Sequence, residues 1–366
     1  MSVLDTLRAL AAWIYAFVFG QAAPFEETVL ESPDGKARAT LIGLGATLVE
    51  LWVPDAQGVL RDVVLGYDDR GMYLDDPAHP VFGALSCRAT RISSGSFTLD
   101  GKKYQLHQND GTATLHGGAV GWDRRAWTRV DHSKNRVTYE LVDRAFEGFP
   151  GIVTARATYE LIDGPELLLT IRCTPSERTP IVVSSHTYWN LDASEQQTTV
   201  HAHVMSIAAR QRLDTNAAHV PTGNILDVAG TPWDFTAPHA VGERWDALVA
   251  AGGVKGYNEN WVYDQHSEDQ PVFSLWSPRS GIRRMDVQTN QKSVVVYSAG
   301  YLRGVPRKHG GPGAEYGPVD GLAVEHQSRA DAVNHPEWGE SVIYGPGETL
   351  VWHTRCAFSV QQADDT

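Results

Sequence analysis

Residues 181–191 read Ile-Val-Val-Ser-Ser-His-Thr-Tyr-Trp-Asn-Leu, an apolar run ending on one titratable ring, His186, with Tyr188 and Trp189 directly behind it. A β-branched run of this kind reads as a buried strand, so the imidazole is delivered to the mouth of a cleft lined with rings. Imidazole titrates near neutrality and can give or take a proton there. Taken alone, the stretch reads rather as a core histidine at a strand end. A second acid–base candidate has the same build: Gly321-Leu322-Ala323-Val324-Glu325 ends a short apolar run on a carboxyl, followed by His326 and Gln327. In Leu115-His116-Gly117-Gly118 a histidine precedes two glycines, which let backbone approach a ligand closely; Asn109 stands before it and Trp122 after it. Arg91, just ahead of Ile92-Ser93-Ser94-Gly95-Ser96-Phe97, offers a planar donor fork, although alone it reads rather as a surface arginine paired with a carboxylate.

The elements that must position these groups are strands. From residue 25 onward, short alternating runs are punctuated by turn dipeptides. Residues 37–53 read as one or two strands interrupted at Gly43 and Gly45, and Asp100-Gly101 is the strongest hairpin signal. Further strands are expected at 200–207, 272–276, 285–289, 294–297 and 350–360. One helix is expected at 243–251, where Trp245, Leu248 and Val249 share a face ahead of Gly252-Gly253. No phosphate-binding glycine loop and no alternation of strands with helices occurs, which disfavours nucleotide cofactors. The pattern predicts an all-β sandwich with few short helices, in a single domain over residues 24–366.

The chain has 366 residues, 42% of them hydrophobic, enough to bury a large core. Its net charge of −13 argues against nucleic acid or an anionic membrane surface as partner and leaves a small molecule, neutral or cationic. Cys87, Cys173 and Cys356 are too scattered for a zinc site, and the pair His201 and His203 lacks an evident third ligand, so no metal is expected. Residues 9–19 form an uncharged run too short to span a bilayer, with small residues behind it. Residues 1–23 therefore read either as a signal peptide, which would place the protein outside the cytoplasm, or as an apolar helix docked on a cytoplasmic body. No other segment resembles a membrane span.

Set side by side, Arg91-Ile92-Ser93-Ser94-Gly95-Ser96-Phe97, Asn109 with Leu115-His116-Gly117-Gly118, Ser185-His186-Thr187-Tyr188-Trp189-Asn190-Leu191 and Glu325-His326-Gln327 followed by Asp331, Asn334 and Pro336 resemble, in this order, the motifs of the aldose 1-epimerases (galactose mutarotases). Pro221-Thr222-Gly223, Gly230-Thr231-Pro232-Trp233-Asp234-Phe235 and Pro346-Gly347-Glu348 extend the resemblance, which runs from about Glu26 to the C-terminus. It implies the large twisted β-sandwich of that family, a supersandwich with an open cleft, and cofactor-independent interconversion of the anomers of free hexoses such as glucose or galactose. His186 is then the general acid, Glu325, as a carboxylate near neutral pH, the base, and His116 the second histidine. Arg91, Asn109 and Asn258 are the substrate-binding positions, and Trp122, Tyr188 and Trp189 the candidate apolar walls.

Three positions depart from the family pattern: Asn258 stands where an aspartate is usual, with Glu259 beside it, Thr90 precedes Arg91 in place of asparagine, and His326 replaces threonine. The alternatives are a non-catalytic carbohydrate-binding member of the fold, or a hexose-6-phosphate 1-epimerase using Arg124, Arg125, Arg303, Arg307 or Lys308 as its anion pocket. A glycosidase would need two facing carboxylates, and the matched pair is one glutamate and one histidine.

Overall fold

The computed structural model describes residues 24–78, 80–192, 199–253, 255–279 and 284–360. The reading of residues 1–23 as a signal peptide or helix lies outside the described residues. Long strands with strict alternation dominate. Val153–Ile162 and Glu166–Pro175 bury every second side chain, the period expected of a sheet with one face on a core. They sit in a nine-stranded sheet that also carries the C-terminal strand Leu350–Ser359, paired to Glu166–Pro175 on one side and to Arg284–Thr289 on the other.

A second sheet of six strands is ordered Tyr188–Trp189, Leu322–Gln327, Ser293–Tyr297, Asn258–Val262, Gln211–Thr215, Pro221–Asp227. One continuous apolar cluster joins residues of both sheets, with Tyr139, Tyr159 and Ile171 from the larger and Val294, Val296, Val324 and Trp261 from the smaller. The result is the expected all-β sandwich. Leu322–Gln327 is buried at all six positions, because one of its faces lies on that core and the other on the cleft described below.

Local expectations are met where turn chemistry decides them. Strands Arg38–Ile42 and Thr47–Pro54 flank the interruption at Gly43 and Gly45. Asp100 and Gly101, at φ +52° and +76°, close the hairpin of Ser96–Leu99 with Lys102–Gln105. Two readings need correction. Residues 200–207 are not one strand, since a 3-10 turn at Val200–Ala202 precedes the strand Val204–Ile207. The helix is Trp245–Ala250, with Leu248 buried but Val249 turned to solvent. Cys173 and Cys356 are free and buried.

A four-stranded sheet, Glu27–Glu31, Arg38–Ile42, Thr47–Pro54 and Leu60–Asp62, supports the loop that follows Tyr297. Lys308, fully buried in that loop, places Nζ 2.6 Å from Asp62 Oδ2 and donates to the Val49 carbonyl. His309 Nε2 lies 3.0 Å from the same carboxylate oxygen. Buried ion pairs stand only with such full hydrogen bonding, and the effect here is to fix the loop carrying Tyr301, Leu302 and Val305.

Candidate active site

A cleft of about 390 Å³ opens over the six-stranded sheet. Its floor follows from register. Asn260, Val295 and Glu325 are opposite one another on three adjacent strands, so all three side chains leave the same face and line the cleft. His186 arrives from the end of Val182–Ser185, where its backbone N–H donates to the Ala84 carbonyl and its own carbonyl accepts from the Gly83 N–H. Its Nε2 is 3.4 Å from Glu325 Oε1, and both side chains are almost wholly withdrawn from solvent. The two groups placed by the ends of apolar runs thus meet, although 139 residues separate them by number.

Burial raises the Glu325 carboxyl from 4.5 to about 8, only partly opposed by the Arg91 guanidinium. Burial thus works against the carboxylate form expected of Glu325 near neutral pH. Two titratable groups, one an imidazole and one a carboxyl, thus meet on the cleft floor within reach of one bound molecule.

His116 sits edge-on to His186, ring centroids 5.2 Å apart. It occupies the left-handed region at φ +51°, and its loop is held in that shape from both sides. The Asn109 amide donates to the carbonyls of Leu115 and Gly118 and accepts from the Leu115 N–H, while the Glu147 carboxylate accepts from the N–H groups of Ala119 and Val120. Asn109 therefore shapes the loop that presents His116, its donors already engaged. Ser86 Oγ lies 2.6 Å from His116 Nδ1 and fixes the ring.

Arg91, paired across its short strand with Leu115, faces the cleft with Nη1 on Asp110 Oδ2 at 2.5 Å and the Ala218 carbonyl at 3.4 Å. The Arg91 carbonyl accepts from the Asp331 N–H, and Asp331 Oδ1 accepts from the Ser93 N–H and from Asn334 Nδ2. The stretch after Gln327 thus braces the Arg91 segment, and only Ala330 from it lines the cleft.

Tyr188 lines the cleft as expected, its ring 5.0 Å from that of His186. Trp122 does not. Its 3-10 turn, Trp122–Arg124, directs the indole into the core, where Nε1 donates to Asp143 Oδ2 at 3.0 Å. Trp189 is likewise a core residue, because alternation sends it to the face opposite Tyr188. The aromatic walls come instead from Tyr188, Tyr297 and Tyr301. Tyr297 and Tyr301 carried no local signal; Gln327 and Asn260 were within reach of the period-two rule, counting from Glu325 and Asn258.

The three departures fall in different places. Asn258 lines the cleft, and its backbone N–H donates to Glu259 Oε2 at 3.0 Å. Glu259, buried and raised above the ordinary carboxyl range by that burial, lines the cleft as well and faces Arg212. Thr90 lines the cleft. His326 points to the core face, Nδ1 2.9 Å from the Tyr263 hydroxyl, and burial lowers its imidazole to about 3.

Of the cations considered as an anion pocket, none lines the cleft. Arg125 pairs with Asp143 and Lys308 with Asp62. His203 Nε2 accepts from the Leu191 N–H and His201 packs edge-on against Trp245, both structural roles.

The chain is similar to known proteins over most of its length. The family model described as "Aldose 1-epimerase" matches residues 28–357. The galactose mutarotase of Sus scrofa is 34% identical over 348 residues, 94% of this chain and 98% of the relative. The aldose 1-epimerase of Escherichia coli (strain K12) is 30% identical over 312 residues, 84% of this chain and 88% of the relative. Among solved structures, a GalM/aldose epimerase homologue from C. elegans superposes with a TM-score of 0.81 at 26% identity, covering 92% of this chain and all (100%) of that one.

Proposed function

The chain belongs to the aldose 1-epimerase family, and from that premise we propose that it interconverts the α and β anomers of free aldohexoses such as glucose and galactose, with His186 and Glu325 as the acid–base pair. The observation that carries the assignment of roles is the buried contact of 3.4 Å between His186 Nε2 and Glu325 Oε1 on the cleft floor.

Mutarotation breaks the bond between C1 and the ring oxygen and remakes it on the other face of C1. One group must remove the O1 proton while another protonates the ring oxygen. When the pair carries a single proton on His186, Glu325 takes the proton from O1 as His186 gives its own to the ring oxygen, leaving the open-chain aldehyde. The proton now sits on Glu325. Rotation about C1–C2 turns the other carbonyl face to the ring hydroxyl. Glu325 then returns a proton to the carbonyl oxygen as His186 takes one from the attacking hydroxyl. The pair ends as it began, and no other reactant is consumed. A carboxyl whose proton affinity is raised by burial is the stronger base for this step, and water excluded from the floor cannot compete for either proton. His116, edge-on to His186, and Arg91 are placed to hold the oxygens around C1 by charge-assisted hydrogen bonds, and Tyr188, Tyr297 and Tyr301 supply apolar faces for the C–H surface of the ring.

Polarimetry of freshly dissolved α-glucose, α-galactose and α-xylose tests the proposal. The wild type should speed the decay of optical rotation, and Glu325→Gln and His186→Asn should each lose a factor of about a hundred to ten thousand. A wild type that never exceeds the spontaneous rate would overturn it.

A further inference from the structure

Among the polar side chains that line the cleft, Gln327 and Thr90 stand apart from the acid–base pair, His116 and Arg91 by buried polar atoms that nothing among the described residues satisfies. Gln327 stands two residues beyond Glu325 on the cleft face of Leu322–Gln327 and is 0% exposed. Neither Oε1 nor Nε2 of its amide has a hydrogen-bond partner among the described residues. Thr90, 5% exposed and next to Arg91, also lines the cleft, and its Oγ1 has none either. The neighbouring amides differ. Asn260 donates to Ser293 Oγ and accepts from the Ala330 N–H, and Asn109 is taken up by the His116 loop. Buried polar atoms are almost always satisfied within the protein, so three left open on one cleft are an unusual concentration.

We propose that Gln327, with Thr90, recognises ring hydroxyls of the aldose seated on the His186–Glu325 pair, and that the two side chains determine which sugars are accepted. The inference rests on the epimerase reading above and deepens it. An amide presents an acceptor and a donor side by side. Two adjacent hydroxyls of a sugar satisfy both at once, one donating to Oε1 and the other accepting from Nε2, and Thr90 Oγ1 adds a hydroxyl that does either. A deoxy sugar leaves one of these atoms buried and unmatched, which is a stronger ground for rejection than a missing apolar contact. Position supports the role. Glu325 and Gln327 project from one strand face about 7 Å apart at the backbone, so a pyranose whose O1 meets Glu325 extends along the strand toward the amide.

The test uses Gln327→Met and Thr90→Val, each similar in size to the residue replaced and without the open polar atoms. Rates are measured by polarimetry and affinities by calorimetry for the parent aldose and its 2-, 3-, 4- and 6-deoxy forms. Gln327→Met should lower kcat/KM for the parent sugar by about tenfold or more, yet leave the melting temperature unchanged or higher, because it removes two unsatisfied buried atoms. For the deoxy sugar that lacks the partner hydroxyl, the same variant should cost nothing. Thr90→Val should show the same pattern. A uniform loss across the whole series, or a fall in melting temperature with kcat/KM intact, overturns the proposal and leaves Gln327 as a packing residue. If the wild type accelerates no aldose, the epimerase reading fails instead, and the calorimetric pattern across the series still decides whether Gln327 reads hydroxyls.

Discussion

Replacing Glu325 by glutamine should make the protein less sensitive to alkali. The Glu325 carboxyl moves from 4.5 to about 8 on folding because burial disfavours its charge. Between those two values the native state keeps a proton that the unfolded chain has released, so stability falls as pH rises and the loss is complete above about 8. At about 1.4 kcal/mol per pH unit the full span amounts to about 5 kcal/mol. The cleft above is open and lets solvent relax around the charge, so the measured value should lie below that ceiling. Glu325→Gln keeps the shape and never ionises. Urea unfolding of both proteins at intervals from pH 5 to 9 gives the difference directly. Wild type and variant should be nearly equal at pH 5, with the wild type losing at least about 2 kcal/mol relative to the variant by pH 9. Parallel stability curves, or a wild type that gains on the variant as pH rises, would refute the argument that burial dominates the environment of Glu325.

Three further outcomes follow from the packing. Trp122→Phe removes the indole donor to Asp143 and should cost about 1–3 kcal/mol in chemical unfolding while leaving KM unchanged; a tenfold rise in KM would return Trp122 to the sugar site. Gly118→Ala puts a side chain at φ +117° and against the Glu147 carboxylate, which must leave the Ala119 and Val120 N–H groups that it holds and so loosens the His116 loop. Its kcat should fall about tenfold or more, with the sandwich intact by circular dichroism. Lys308→Met removes the buried ammonium from Asp62, leaving that carboxylate to His309 and the Leu51 and Val64 N–H groups, and should cost about 3 kcal/mol in thermal or chemical unfolding; a loss under about 1 kcal/mol would show the pair to be dispensable.

The chemistry-bearing residues were legible because residue type and local pattern agree at them. His186 and Glu325 each close an apolar run, and that is how the chain brings a titratable group to the end of one buried strand and onto the cleft face of another. Trp122 was misread because sequence proximity to His116 says nothing about which way a 3-10 turn sends an indole. Trp189, expected as an apolar wall, falls to a rule that was available, since strand alternation puts it on the face opposite Tyr188, as it puts His326 opposite Glu325. Tyr301 and Leu302 were out of reach, because a loop fixed by Lys308 and Asp62 brings them to the cleft. The upward push on the Glu325 carboxyl was equally hidden, because it depends on burial at 4% exposure rather than on neighbours in the chain.

That buried attachment has a consequence for the order in which the molecule is made. Lys308 reaches back 259 residues to the Val49 carbonyl, and His309 reaches 247 to Asp62. Contacts of such separation form late, since the loop they close must first be paid for in chain entropy. During synthesis the N-terminal sheet emerges long before its lysine exists, and Asp62 waits solvated rather than buried. The sugar cleft is therefore among the last features to acquire its walls.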